Sequence, residues 1–467
     1  MNAAASPALK FRIVDAQLQL TDCRTRLPFR FGVHTLTSAP FATLRIEIET
    51  LDGRREFGAS SDLLVPKWFE KDLEKTPERD SRNLADSAEK AMAFSTQQGS
   101  ATVFDHWLSC YESRVGGQSS LASDLLLRGF GVALMERALM DAVCRREDCS
   151  FHEALLGDLF GFQPGRVHGA LQGWNLSESL PAKPATSMNL RHTIGLLDAL
   201  TPEDWADAEA PQDGFPTCLA EDIARYGLSW FKIKINGEKA TDVKRLLAIA
   251  EVLQACGVKN PRFTLDGNEQ FSSMDDLADT LEEVVTHPQG AEILQGLAFI
   301  EQPLSRKDTF RPELHAGLSR VRVFGPVIID EADFGVQAFP EAVALGYEGV
   351  SIKACKGVFR ALLNRGLCEI SSGNLFQSGE DLTNLPVRAL QQDLCLMASL
   401  GIEHVERNGH HYFKGLHHLS SAEREQALLH HPDLYVSGKG GAELSIKNGK
   451  LSLSSLQAPG FGCGLKP

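Results

Sequence analysis

No apolar run in this 467-residue chain approaches the roughly 20 residues that a membrane-spanning helix requires. A membrane span is therefore not expected. The first residues, "MNAAASPALKFRIVDAQL", lack a charged region followed by an apolar core, so no secretory signal and a cytoplasmic location are expected. None of the ten cysteines forms a CxxC pair, which argues against a zinc ribbon or a disulfide frame and for reduced, packed thiols. Basic residues are outnumbered 47 to 61, and the formal charge of −14 disfavours nucleic acid as a general partner. A small anionic substrate stays possible, because a local cluster can oppose the global sign. No GxGxxG or GKS loop follows a candidate strand, which weakens the case for an open doubly wound sheet. What remains, 43% hydrophobic and 23% charged, is the composition of a globular protein longer than one usual domain.

Residues 1–150 read as an α+β domain. "KFRIVDAQLQL" and "FATLRIEIETLDG" have period-two character and read as antiparallel strands joined by a long loop, "TDCRTRLPFRFGVHTLTSAP". Residues 72–148 then carry helical spacing. The stretch 151–188 has no clear period and reads as an irregular connection. From 189 to 430 short apolar strands alternate with amphipathic helices. The eight strand candidates are "NLRHTIG", "WFKIKI", "RFTLDGN", "LAFIEQP", "VIIDEAD", "GVSIKAC", "NLFQSGE" and "IEHVERN". Eight strand-then-helix units predict a (β/α)8 barrel. In residues 431–467 Asn448-Gly449 marks a type I′ hairpin, and this tail is expected to return to the N-terminal domain.

In such barrels chemistry sits where strands end, and here those ends are polar. Strand three closes on Asp266 with Asn268 beyond it, strand four on Glu301, strand five on Asp330 and Glu331, and strand six carries Lys353. Each is about one βα unit from the last. On strand two, Lys232 and Lys234 share one face of an extended "FKIKI". An acid at a strand end ordinarily caps the next helix, and a lysine ordinarily faces water. Three acids recurring once per strand, flanked by lysines, are harder to explain that way. Carboxylates crowded into one barrel mouth need a counter-charge. An all-oxygen set without His or Cys points to Mg2+ or Mn2+ rather than zinc.

The ordered set Lys232-x-Lys234, Asp266-x-Asn268, Glu301-Gln302-Pro303, Asp330-Glu331 and Lys353 resembles the enolase superfamily, in its muconate-lactonising and mandelate-racemase-like branch. The resemblance runs over nearly the whole chain and implies an N-terminal α+β capping domain on a modified (β/α)8, or TIM, barrel. It implies one Mg2+ held by Asp266, Glu301 and Asp330, with Lys234 and Lys353 as acid/base residues on opposite faces of a small carboxylate substrate. Lys232 would lower the proton affinity of Lys234, Asn268 would support the site, and Glu331 would orient a lysine. The implied reaction is abstraction of the proton α to a carboxylate to give a metal-stabilised enediolate, leading to epimerisation or racemisation, β-elimination or cycloisomerisation. A homo-oligomer is also expected.

"SIKACKGVFRA" departs from the family pattern in two ways. It bears a lysine where mandelate-racemase-like members carry an Asp of a His–Asp pair, and it lacks a double glycine. A histidine base is thereby disfavoured, and Lys356 reads as a surface lysine. The loop at 21–40 and "DLLVPKWFEK" are expected to close over the mouth and read the substrate through Arg30, His34, Lys67 and Trp68. Glu380, Asp381, Glu406, His410 and His411 lie after strands seven and eight and are further candidates. Two other readings stand beside this one: a metal-dependent barrel lyase or aldolase with Lys353 as a Schiff base, and a non-catalytic carboxylate-binding relative.

Overall fold

A computed structural model of the chain describes residues 8–116, 124–205 and 210–466. The chain starts as a three-stranded antiparallel sheet of β1 (Phe11–Phe31), β2 (His34–Thr50) and β3 (Arg55–Leu63), followed by helices α1 (Pro77–Ser95), α2 (Val103–Arg114) and α3 (Leu125–Arg146). The expected long loop between the first two strands is instead strand. Pairing continues to Phe31 opposite His34, with one irregularity between Arg24 and Phe29. Cys23, Leu27, Phe29 and Phe31 are buried along this extension, and it is their burial that carries the hairpin beyond the sheet. Gly32, at φ +46°, makes the turn. Sequence reading also passed over β3, where Gly58 lies against the backbone of α3 at Ala138 and Ala142, too close for any side chain.

The barrel strands are β4 (Ser187–Ile194), β5 (Trp230–Lys234), β6 (Arg262–Asp266), β7 (Leu297–Glu301), β8 (Val327–Ile329), β9 (Gly349–Ile352), β10 (Phe376–Gly379) and β11 (His404–Arg407). All pair in parallel with their sequence neighbours, and β11 pairs with β4 to close the ring. The strands are short and almost wholly buried, as parallel strands covered by helices must be. A hairpin of β12 (Tyr435–Gly438) and β13 (Gly441–Leu444) follows, then β14 (Lys450–Ser452). Asn448 and Gly449 both have positive φ, as the expected turn requires. The turn sends β14 antiparallel onto β4 of the barrel, and the last residues reach α3, where Arg145 donates to the Cys463 carbonyl at 3.0 Å. Among the described residues no helix is long and apolar enough to cross a membrane.

Candidate active site

Register sets the site. Lys234 on β5 lies opposite Asp266 on β6, and Asp266 opposite Glu301 on β7, so three ionisable groups stand at one level of the barrel. The turns that follow are tight: Asn268, Glu269 and Gln302 all adopt positive φ. The Asn268 N–H donates to Asp266 Oδ1 at 2.8 Å, fixing that carboxylate. Gln302 was quoted from the sequence without a role, yet it joins two strand ends. Its Oε1 accepts from the N–H groups of Asp330 and Ala332 at 2.8 and 2.9 Å, while Nε2 donates to Leu304 O and Thr309 Oγ1.

Lys232 lies one layer deeper, opposite Thr264, and its stem carries the ammonium up among four carboxylates. Nζ is 3.0 Å from Asp266, 2.7 Å from Glu301, 2.6 Å from Glu380 and 2.9 Å from Glu406. Burial opposes its charge, but these four acids outweigh it and hold its pKa well above the usual lysine range. Both ammonium groups meet Asp266 Oδ2, Lys234 at 2.5 Å, so a carboxylate lies between the two lysines. Across the mouth Lys353 donates to Asp330 Oδ2 at 2.5 Å and lies 5.3 Å from the centre of the Trp68 ring. Burial again opposes its charge, and Asp330 and Glu301 raise its proton affinity nonetheless.

Lys356 is buried rather than exposed. It contacts Asp330 at 3.2 Å and Asp333 at 3.1 Å from the end of the short turn Ala354–Lys356 that follows β9. Among the described residues Glu331 has no ion pair with a lysine; it accepts from Asn268 Nδ2 at 3.1 Å. Its carboxyl is pushed up to about 7, by burial first and then by Asp330.

A cavity opens above these groups, and Lys232, Lys234, Asp266, Asn268, Asp330 and Lys353 line it. So do Trp68, Asp381 and Glu406 from the candidates at the loops. Other candidates lie elsewhere. Lys67 is consumed by the loop itself, with Nζ 2.9 Å from Asp80 and donating to the carbonyls of Asp72 and Lys75. Arg30 donates to Thr35 on the facing strand, and His34 borders a separate surface cleft. Glu380 lies inside the barrel below the cavity, bonded to Arg191 and Lys232. His410 and His411 turn outward, to His192 and Asp222. Sequence reading missed the apolar wall, Phe29, Phe31, Val65 and Leu382; phenylalanines inside an otherwise polar "loop" were the available signal. It also missed Arg191, a buried cation in mid-strand that contacts Glu380 and Gly379 O.

No family model and no curated protein matches the sequence. Solved structures do match in fold. A dipeptide epimerase from Enterococcus faecalis, solved with Mg and the dipeptide L-Leu-L-Tyr, is 15% identical with a TM-score of 0.60, over 97% of this chain and 99% of that one. A muconate lactonizing enzyme from Pseudomonas fluorescens, complexed with muconolactone, is 16% identical at 0.59, over 98% and 97%. A 2-chloromuconate cycloisomerase from Rhodococcus opacus is 17% identical at 0.61, over 97% of each chain. The chain has the enolase-superfamily fold. In enolase-superfamily terms, the observed antiparallel sheet with its helices is the cap, and the cavity lies between cap and barrel mouth.

The resident metal that this fold implies can be tested against the residues. Asp266, Glu301 and Asp330 offer only carboxylate oxygens. Burial and the neighbouring Glu380 push the Glu301 carboxyl well up, against Lys232, and its buried Oε2 has no hydrogen bond of acceptable angle. A cation would relieve that group. The ligand oxygens of the three acids are not gathered within 4.8 Å of one another, since lysines stand between them. The donor chemistry fits Mg2+ or Mn2+.

Proposed function

We propose that this protein is an enzyme that removes the proton α to the carboxylate of a small-molecule substrate, an isomerase or lyase of the racemase, epimerase, cycloisomerase or dehydratase kind. The observation that carries the reading is the pair of buried lysines, Lys234 on β5 and Lys353 just beyond β9, reaching one cavity from strands four places apart in an eight-stranded ring. Such lysines face opposite sides of a substrate held between them.

Asp266, Glu301 and Asp330 would hold Mg2+ or Mn2+. When bound, the cation supplies positive charge that draws electron density from the substrate carboxylate and acidifies the α-hydrogen. The chain's own residues do the rest. One lysine Nζ, as free amine, takes the α-proton. The other, as ammonium, returns a proton to the opposite face or to a departing group. Lys232 adds a fixed positive charge beneath the site, where negative charge develops on the carboxylate oxygens. Phe29, Phe31 and Trp68 wall the cavity and exclude water, which strengthens these charge interactions.

The Schiff-base alternative differs in the bond it forms, a covalent imine between Lys353 and a substrate carbonyl, which proton abstraction does not make. Mg2+-dependent wash-in of solvent deuterium at the α-carbon, across a panel of carboxylic acids including dipeptides and α-hydroxy acids, tests the proposal. Exchange in the wild type and none in Asp266→Asn is expected. A borohydride-trapped adduct on Lys353, without deuterium exchange, would replace this reading with the aldolase-like one.

A further inference from the structure

The first barrel strand carries a second cluster that the α-proton chemistry does not use. Arg191 and Thr193 on β4 point into the barrel, to Glu380 and Glu406. Strand alternation therefore sends His192 out through the wall. There it meets Asp222, from the helix Leu219–Tyr226, and His410, from the turn after β11. One ligand atom from each of the three lies within 4.8 Å of the others, a grouping of His, Cys, Asp or Glu found nowhere else among the described residues.

His192 Nδ1 is 3.0 Å from His410 Nε2, and His192 Nε2 is 3.8 Å from Asp222 Oδ2. His411 Nδ1 lies 2.7 Å from the same oxygen. All four side chains are buried. Their hydrogen bonding is nevertheless incomplete. Oδ1 of Asp222 has no hydrogen-bond partner among the described residues, and neither has Nδ1 of His410, while Oδ2 of Asp222 pairs with His411. A buried carboxylate oxygen without a partner is costly, and His411 answers only the other oxygen.

We propose that His192, Asp222 and His410 form a second metal site, for a transition-metal dication of the zinc type, separate from the acid trio. Two imidazoles and one carboxylate are a nitrogen-rich set that suits Zn2+ and ranks low for Mg2+. The two ring nitrogens, 3.0 Å apart, share a hydrogen bond that a metal would replace by parting them to about 3.3–3.4 Å, the spacing of neighbouring ligands on a tetrahedral ion with bonds of about 2.0–2.1 Å. His411 borders the site and pairs with Asp222 Oδ2, which leaves Oδ1 as the oxygen without a partner. His410 also lines a cavity, with Phe215, Tyr226, Asn384, Pro386 and Arg407. The three ligands come from β4, from the helix that follows it and from the turn after β11. The ion would staple the seam where the first and last barrel strands meet.

Untagged protein stripped with chelator and titrated with Co2+ in excess Mg2+ tests the site by visible absorption. One Co2+ per chain is expected, with the intense bands of a tetrahedral nitrogen-oxygen site, displaced by Zn2+. His192→Gln and His410→Gln should each weaken it by more than about 100-fold, beyond the 10–100-fold typical of residues that only support ligands. Asp266→Asn should leave it unchanged. His410→Gln, at the edge of the cavity, gives a folded comparison if the strand variant misfolds, with circular dichroism as the check. Absence of tetrahedral bands in folded wild type, bands unchanged in His410→Gln, or bands lost in Asp266→Asn would each overturn the proposal.

Discussion

Lys234 Nζ donates to Asp266 Oδ2 at 2.5 Å from the directly opposed position on the next strand. The proposed acid/base group and the proposed metal ligand are thus held by the same register. Removing either lysine of the opposed pair should lower turnover by about 10²–10⁴-fold, the worth of a positioned acid or base. For a substrate pair differing only at the α-carbon, Lys234→Ala should keep deuterium exchange with one stereoisomer and Lys353→Ala with its mirror partner. Equal loss for both stereoisomers in both variants would leave one lysine as sole base and favour elimination over epimerisation.

Asp266→Ala should abolish measurable Mg2+ heats in isothermal titration. It also leaves two buried lysines without their shared acid, so stability should fall by about 3–5 kcal/mol, as when one partner of a buried pair is removed. Unchanged Mg2+ affinity in a folded Asp266→Ala protein would remove this residue from the ligand set.

Arg306 ties the cap loop to the barrel. It donates to the carbonyls of Trp68 and Phe69 at 2.7 and 3.0 Å and to Glu269 through Nε and Nη2. Arg306→Ala should release Trp68 from the cavity wall, raising KM by about tenfold or more and increasing tryptophan quenching by acrylamide. A KM and quenching equal to wild type would show that the loop is held by other contacts.

Glu136 gives stability a pH dependence. Burial pushes its carboxyl up to about 8, against the Val358 N–H and Arg137, while an unfolded chain leaves it in the usual range near 4.5. A folded value above the unfolded one means a stabilising contribution complete below about 4.5 and lost as pH rises through about 8. Glu136→Gln should flatten that part of the curve, on the order of a few kcal/mol, in urea melts between pH 5 and 8.5. Identical slopes for the two proteins would count against it.

The barrel was legible because each strand ends in a chemically marked residue and each helix restores a different period. Phe231, Ile233 and Ile235 against Lys232 and Lys234 expose the alternation that a solvent-facing strand would share, so only the neighbouring strands decide which face is interior. The cap was less legible. Residues 21–40 pair as strand because a distant surface buries Phe29 and Phe31, and no local pattern contains that surface. The fates of Lys67 and Lys356 were hidden for the same reason: their acids, Asp80, Asp330 and Asp333, are brought near only by the fold.

The charge cage around Lys232 has a consequence for how the protein is made. Its last acid, Glu406, follows the lysine by 174 residues, and the strand bearing it closes the ring. During synthesis Lys232, Asp266 and Glu301 leave the ribosome long before their full set of partners exists, and closure of so distant a contact is slow. A chain cut short before β11 would hold an acid-rich, unclosed sheet edge, a natural target for chaperones and proteases. Activity should therefore appear only at the end of translation, all at once, and never in a fragment.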